Sequence, residues 1–234
     1  DRVGFLQGLI TNDIGGVSDG LVYTALLTPQ GKYLADFFLS ERGDAILLDV
    51  DGDAAPALVQ RLTMYKLRAD VAIEQTALNV LRGLDDAPVG SFPDPRHSDL
   101  GWRMYSATAG DPATIDWEAI RVAHCIPETG IELIANDSYI LEVGFERLSG
   151  VDFKKGCYVG QEVTARMKHK TELRKGLARV AITGAAPIGS EILSNGKVVG
   201  TLFTQSGTHA IAYLRFERAG EDMTAGAAKI SFER

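Results

Sequence analysis

The chain's 234 residues are enough for two or three small units, and 45% apolar with 24% charged side chains is the balance of a soluble globular protein. A net charge of −7 argues against bulk nucleic acid as the partner of the whole molecule. No apolar run approaches the roughly 18–20 residues that span a bilayer, since the longest candidate, residues 17–27, is interrupted by Ser18, Asp19, Gly20 and Thr24.

Asp1 is placed to cap a helix whose apolar positions Val3, Leu6, Leu9 and Ile10 share one face. The chain opens there with neither a methionine nor a secretory signal, so further residues are expected upstream, a removed targeting segment among the possibilities. Residues 21–27 and 33–39 read as strands around the turn Thr28-Pro29-Gln30-Gly31, with proline second and glycine fourth. Residues 45–50 are a third strand. A helix follows with Leu58, Leu62 and Tyr65 at helical spacing and Pro56 in its first turn. Residues 71–76 and 78–82 return to strand, which predicts one small antiparallel sheet with a helix on one face. Residues 85–112, rich in Asp, Pro and Gly, read as a linker. The next helix has Asp116 as cap and Glu118 in its first turn, and it ends ahead of Pro127. In the tail, residues 176–182, 190–193, 197–203, 209–216 and 227–232 are short strands, with a two-residue hairpin signal at Asn195-Gly196. That texture predicts a small barrel or sandwich.

Two cysteines make no disulfide framework, and they fit a reducing compartment. The histidines, His97, His124, His169 and His209, stand far apart and none is at ligand spacing from a cysteine, so an intrachain zinc or iron–sulfur centre is not expected. Cys157 is the strongest chemical candidate. It follows Lys154, Lys155 and Gly156, precedes Tyr158-Val159-Gly160, and lies just ahead of residues 161–167, which suit a helix. A thiol beside two ammonium groups at a helix N-terminus favours thiolate, and Gly156 and Gly160 let backbone approach a ligand closely. An ordinary buried cysteine at a helix–loop junction fits the same residues. Cys125, at the end of an amphipathic helix, reads as a packed core thiol. Between Lys154 and Lys175, seven Lys/Arg oppose Glu162 and Glu172. This local excess of positive charge suits an anionic small ligand or, alternatively, a solvated helix face. Asp49, Asp51 and Asp53 precede a helix and fit capping better than proton transfer. Glu142 interrupts an apolar stretch, which fits either a half-buried partner for a heterocycle's donors or an exposed strand position. Phosphate loop, dinucleotide fingerprint, nucleophile elbow and His-Glu-x-x-His motifs are all absent.

Phe5-Leu6-Gln7-Gly8-Leu9-Ile10-Thr11-Asn12-Asp13, Leu27-Thr28-Pro29-Gln30-Gly31-Lys32, Met64-Tyr65-Lys66-Leu67-Arg68-Ala69-Asp70-Val71 and Ile126-Pro127-Glu128 resemble successive landmarks of one family. Its hallmark matches Lys155-Gly156-Cys157-Tyr158-Val159-Gly160-Gln161-Glu162, continuing through Thr164-Ala165-Arg166-Met167-Lys168-His169. The family is the YgfZ-like folate-binding group, related to the T-protein (aminomethyltransferase) of the glycine cleavage system, and the resemblance covers nearly the whole chain. It implies an α+β fold: two interlocking α+β domains and a C-terminal small antiparallel β-barrel around a central cavity. Residues 1–20 and 113–171 would form a discontinuous folate-binding domain, 21–112 an inserted ferredoxin-like domain and 172–234 the barrel. Tetrahydrofolate or a one-carbon-substituted folate is the implied cofactor. Iron–sulfur client or assembly proteins are the implied partners, tRNA-modifying enzymes among them in bacteria, with no membrane and no direct nucleic-acid contact. The implied compartment is the cytoplasm, or alternatively the mitochondrial matrix. By position, Cys157 becomes the reactive thiol. Lys155, Gly156, Tyr158, Gly160, Gln161, Glu162 and Arg166 form the folate-binding loop, and Glu142 stands as a pterin-contacting acid. The competing implication is aminomethyl transfer, but Pro56 stands where T-proteins carry an acid, so Asp51 or Asp53 would have to replace it. A non-catalytic RNA- or protein-binding module using the basic stretch is a third reading.

Overall fold

The computed structural model describes residues 1–112, 114–169 and 172–233. The expected boundaries at 113 and 171, and Lys170 of the basic stretch, lie outside the described residues. The first helix, α1 (Arg2–Gln7), forms as the apolar spacing requires, but Asp1 does not cap it with its side chain. That carboxylate accepts the Asp70 backbone N–H at 3.0 Å instead.

Strands β1 (Val22–Leu27), β2 (Tyr33–Arg42) and β3 (Ala45–Val50) make an antiparallel sheet in that order. The β1–β2 turn closes as its residues dictate. Gly31 donates its N–H to the Thr28 carbonyl at 2.8 Å and holds φ +75°, a conformation that costs glycine nothing. Alternation along β2 sends Phe37 and Leu39 to one face, where they pack with Leu6 and Ile10 and with Leu58 and Leu62 of α2 (Ala55–Lys66). Phe38 joins Tyr23 on the other face, against Leu133, Ile140, Phe145 and Leu148. With both faces covered, β1 is buried at every residue, which is why it is almost continuously apolar.

Two expectations fail in the middle of the chain. Residues 71–76 form no strand, and β4 (Asn79–Gly83) joins a second sheet rather than the first. In that sheet β6 (Trp102–Ser106) is central, pairing with β4 on one side and β5 (Phe92–Pro93) on the other, and both β5 and β6 lie inside the stretch expected to be a linker. Pro93 is tolerated because an edge strand needs no donor on its outer side. The Asp/Pro/Gly composition therefore marks tight turns in a folded excursion, not a spacer.

The next helix, α3 (Trp117–His124), begins as expected, with the Asp116 carboxylate accepting the Ala119 N–H at 2.9 Å. It stops at Cys125 in a left-handed conformation, φ +51°. Helix α4 (Gln161–Lys168) follows Gly160, at φ +86°. The tail is a closed barrel of β7 (Lys175–Thr183), β8 (Glu191–Ser194), β9 (Lys197–Ser206), β10 (His209–Arg215), β11 (Met223–Ala225) and β12 (Ala228–Ser231), ordered β10-β7-β12-β11-β8-β9. Asn195 and Gly196 both have positive φ, as the hairpin signal required. Only the three-residue β11 escaped the sequence pattern. The barrel has its own core, including Val180, Ile192, Leu202, Leu214 and Ile230. Buried acids tie it to the rest. Glu132 accepts the Thr204 hydroxyl at 2.6 Å and Arg121 Nη2 at 2.5 Å, and Glu142 accepts the Tyr213 hydroxyl at 2.5 Å. Among the described residues, no helix is long and apolar enough to cross a membrane.

Candidate functional site

The hallmark residues form a loop that wraps the end of α1. Asp152 donates its N–H to the Thr11 carbonyl at 3.0 Å. Lys155, only 7% exposed, sends its ammonium inward to the Gln7 and Ile10 carbonyls at 2.8 and 2.5 Å. The ammonium expected to face a ligand or the thiol is therefore spent on orphan carbonyls at a helix end. Burial pushes the Lys155 pKa down to about 8, against the pull of Asp13 and Asp152. Lys155→Ala is expected to lower the unfolding free energy by about 1–3 kcal/mol in urea titrations, because one buried and one part-buried carbonyl lose their donor. The pH profile has a defined sign. The unfolded lysine holds its proton up to an ordinary value near 10.5 while the folded one releases it near 8, so native stability gains from this site as pH rises between them. The variant lacks that gain.

Gly160 serves packing. A Cβ there would lie 2.6 Å from the Thr28 carbonyl oxygen, and one on Gly31 would lie 2.8 Å from the Val163 Cβ. The two glycines let the hallmark loop lie flat on the first hairpin. Tyr158 is buried in the core, Gln161 is half-buried, and Glu162 and Arg166 are exposed on α4. Gly156 has open space around it, and Cys157 is exposed. Glu142 accepts the Tyr213 hydroxyl and lies 3.6 Å from Lys175 Nζ, so its carboxylate is engaged by the barrel. Among the described residues of the basic stretch, several cations are already paired or turned inward. Lys168 pairs with Glu146, Arg174 with Glu217 and Lys175 with Glu142, while Lys155 is turned in.

None of these residues lines the principal cleft, a space of about 360 Å³ between the first sheet, the second sheet and α3. The first sheet contributes Asp36, Phe38, Asp49 and Asp51, the second-sheet segment Arg82, Arg96 and Arg103, and the α3 region Trp117, Glu118, Arg121 and Glu128. Asp36 is fully engaged. It accepts the hydroxyls of Tyr23, Tyr33 and Thr129 at 2.9, 2.6 and 2.6 Å. Burial, then the Asp36 charge, pushes both tyrosine pKa values above their ordinary range. Asp94, beneath the cleft, takes a two-pronged contact from Arg96 at 2.9 and 2.7 Å and a third bond from Arg103 at 3.3 Å. Burial alone would raise the Asp94 pKa, yet these guanidinium bonds outweigh it and hold the carboxyl below its usual range. Arg103 also donates to Asp49 at 2.7 Å, and its guanidinium lies 4.1 Å from the Phe38 ring centroid.

Arg82 is the exception among these cations. Its guanidinium lies 3.8 Å over the Trp117 ring, its Nε is buried without a hydrogen-bond partner, and no carboxylate pairs with it among the described residues. Burial first, then Arg103 and Arg96, push its pKa down to about 10, which leaves it charged at neutral pH. Arg82 is thus a half-buried guanidinium over an aromatic plane, with no carboxylate at ion-pair distance among the described residues. A depression of about 300 Å³ over Met223, Thr224 and Ile230 on the barrel offers no aromatic ring and no comparable buried cation. Sequence reading missed Arg82, Asp94, Arg96 and Arg103 because they flank or occupy the supposed linker. The available signal was the alternation Trp102-Arg103-Met104-Tyr105, a short strand with charge on one face.

Residues 174–234 match the family described as CAF17, C-terminal beta-barrel domain. The crystal structure of glycine cleavage system aminomethyltransferase T from Bartonella henselae superposes with a TM-score of 0.72, over 99% of this chain and 80% of that one. At 12% identity that likeness concerns the fold alone. The chain is 31% identical to the "Iron-sulfur cluster assembly factor IBA57 homolog, mitochondrial" of Mycosarcoma maydis, over 81% of its own length and 56% of the relative's. It is 30% identical to the "Iron-sulfur cluster assembly factor IBA57, mitochondrial" of Mus musculus, over 93% of its own length and 74% of the relative's. Within the broad YgfZ-like group the relatives are thus IBA57 proteins and not YgfZ itself, and this chain belongs to the IBA57 family, on a T-protein-like fold with a closed C-terminal barrel.

Proposed function

We propose that the chain works in the assembly of iron–sulfur proteins, binding a reduced folate in the arginine-lined cleft and presenting Cys157 as a thiol to a client or assembly partner. The observation that carries the ligand is Arg82, a cation stacked on Trp117 with no carboxylate at ion-pair distance among the described residues. A folate supplies both things the cleft calls for. Its flat, donor-rich pterin suits aromatic walls with nearby carboxylates, and its glutamate carboxylates suit the unpaired guanidinium. The assembly role rests on the relatives' names, which also favour a mitochondrial over a cytoplasmic setting. Aminomethyl transfer fits less well. Pro56 lies in the first turn of α2, and the Asp51 carboxylate is occupied in accepting the Asp53 and Ala54 N–H groups at 3.0 and 3.3 Å.

Calorimetric titration with tetrahydrofolate tests the ligand. The native chain is expected to bind it, and Arg82→Ala to bind it at least about tenfold more weakly, the equivalent of one charge-assisted hydrogen bond. The variant's unfolding free energy is expected to fall by no more than the lost stacking on Trp117, about 0.5–2 kcal/mol, so weaker binding is read on a folded protein. No binding by the native chain, or equal binding by Arg82→Ala, would remove the folate assignment.

A further inference from the structure

The chain's folding brings together two histidines that the sequence keeps apart. His97 opens the turn Ser98–Leu100 that follows β5, and His124 closes α3. Their imidazoles stack with centroids 3.8 Å apart at 25°. Asp99 stands between their nitrogens. His124 Nε2 lies 2.7 Å from Asp99 Oδ2, and His97 Nδ1 accepts the Asp99 backbone N–H at 3.1 Å. Both nitrogens therefore turn toward the same residue, and one ligand atom from each of the three side chains lies within 4.8 Å of the other two. His97 and His124 are half-buried and Asp99 is exposed, so the cluster is open to solvent on one side.

We infer that His97, Asp99 and His124 form a binding site for a zinc-class divalent cation. Two imidazoles and one carboxylate are the donor set that zinc and cobalt(II) prefer over calcium or magnesium, and three protein ligands leave a position for water. Entry of the metal exchanges the His97 bond to the Asp99 amide and the His124–Asp99 contact for three bonds to one ion. The site lies behind the cleft. The turn that carries His97 and Asp99 also carries Arg96, and the helix that ends at His124 also carries Trp117 and Arg121. A cation here clasps two cleft walls to each other from outside, without using any group that faces the ligand space.

The test titrates the metal-stripped full chain with cobalt(II), followed by zinc competition and thermal melting. One equivalent is expected to bind and to raise the melting temperature by mass action, with a visible spectrum of nitrogen and oxygen ligation and no thiolate charge-transfer band. His97→Asn and His124→Gln are each expected to weaken binding at least about tenfold, and Cys157→Ser to leave it unchanged. If either histidine variant fails to fold, Asp99→Asn, at an exposed position, reads the same loss. Absence of saturable binding, unchanged affinity in the histidine variants, or loss of binding in Cys157→Ser would overturn the site, the last by moving the metal to the thiol.

Discussion

Serine in place of Cys157 is expected to abolish support of iron–sulfur enzymes while shifting the unfolding free energy by no more than about 0.5 kcal/mol. The side chain is exposed, and even a Cβ added at the neighbouring Gly156 would meet no atom within 4 Å. Oxygen for sulfur therefore alters the chemistry and almost nothing in the packing. Cys125 supplies the internal comparison. Burial pushes its thiol up to about 11, so alkylation at neutral pH is expected to modify Cys157 first. Tetrahydrofolate affinity is expected to stay at the native value, because no residue of the hallmark loop lines the cleft. The measurement is the activity of iron–sulfur enzymes in cells carrying the variant at matched protein level. A fully active Cys157→Ser would show that the loop contributes shape and not sulfur chemistry.

Asp94→Asn is expected to cost about 3–5 kcal/mol of stability, the usual penalty for removing one partner of a buried ion pair. The Asp94 side chain is fully buried, with Arg96 at 2.7 Å and Arg103 at 3.3 Å. An amide of the same shape removes the charge paired directly with Arg96 and turns an N–H₂ group toward a guanidinium. The pH dependence follows from the sign of the shift. The folded carboxyl lies below its ordinary value of 3.8, so its contribution is complete above the unfolded pKa and is lost as pH falls through the folded one. Urea unfolding at neutral pH is expected to show the full difference between native chain and variant, and the gap is expected to narrow in strong acid. A difference below about 1 kcal/mol at neutral pH would mean that the cleft wall does not rest on this pair.

The sequence by itself determined the features whose causes are local. The Thr28–Gly31 turn, the Asp116 cap, the Asn195-Gly196 hairpin and the apolar spacing of α2 each depend on residues within a few positions of one another. Local propensity and turn chemistry were enough to predict them. The hallmark motif was equally legible as a string of residues, but its chemistry was not. Lys155 reads as a free cation until α1 and the turn after it present the carbonyls of Gln7 and Ile10, and the packing of Gly160 on the Thr28 carbonyl is invisible until the first hairpin is in place. The partner of Glu142, the Tyr213 hydroxyl, is visible only once the barrel is in place. Only the tertiary structure decided where the cleft lies, because its charges come from three segments that are well separated in the chain. Composition cannot tell a linker from an excursion whose turns carry Asp94, Arg96 and His97. What separates them is which distant side chains arrive opposite, and burial and charge pairing are settled by those arrivals and not by neighbours in the chain.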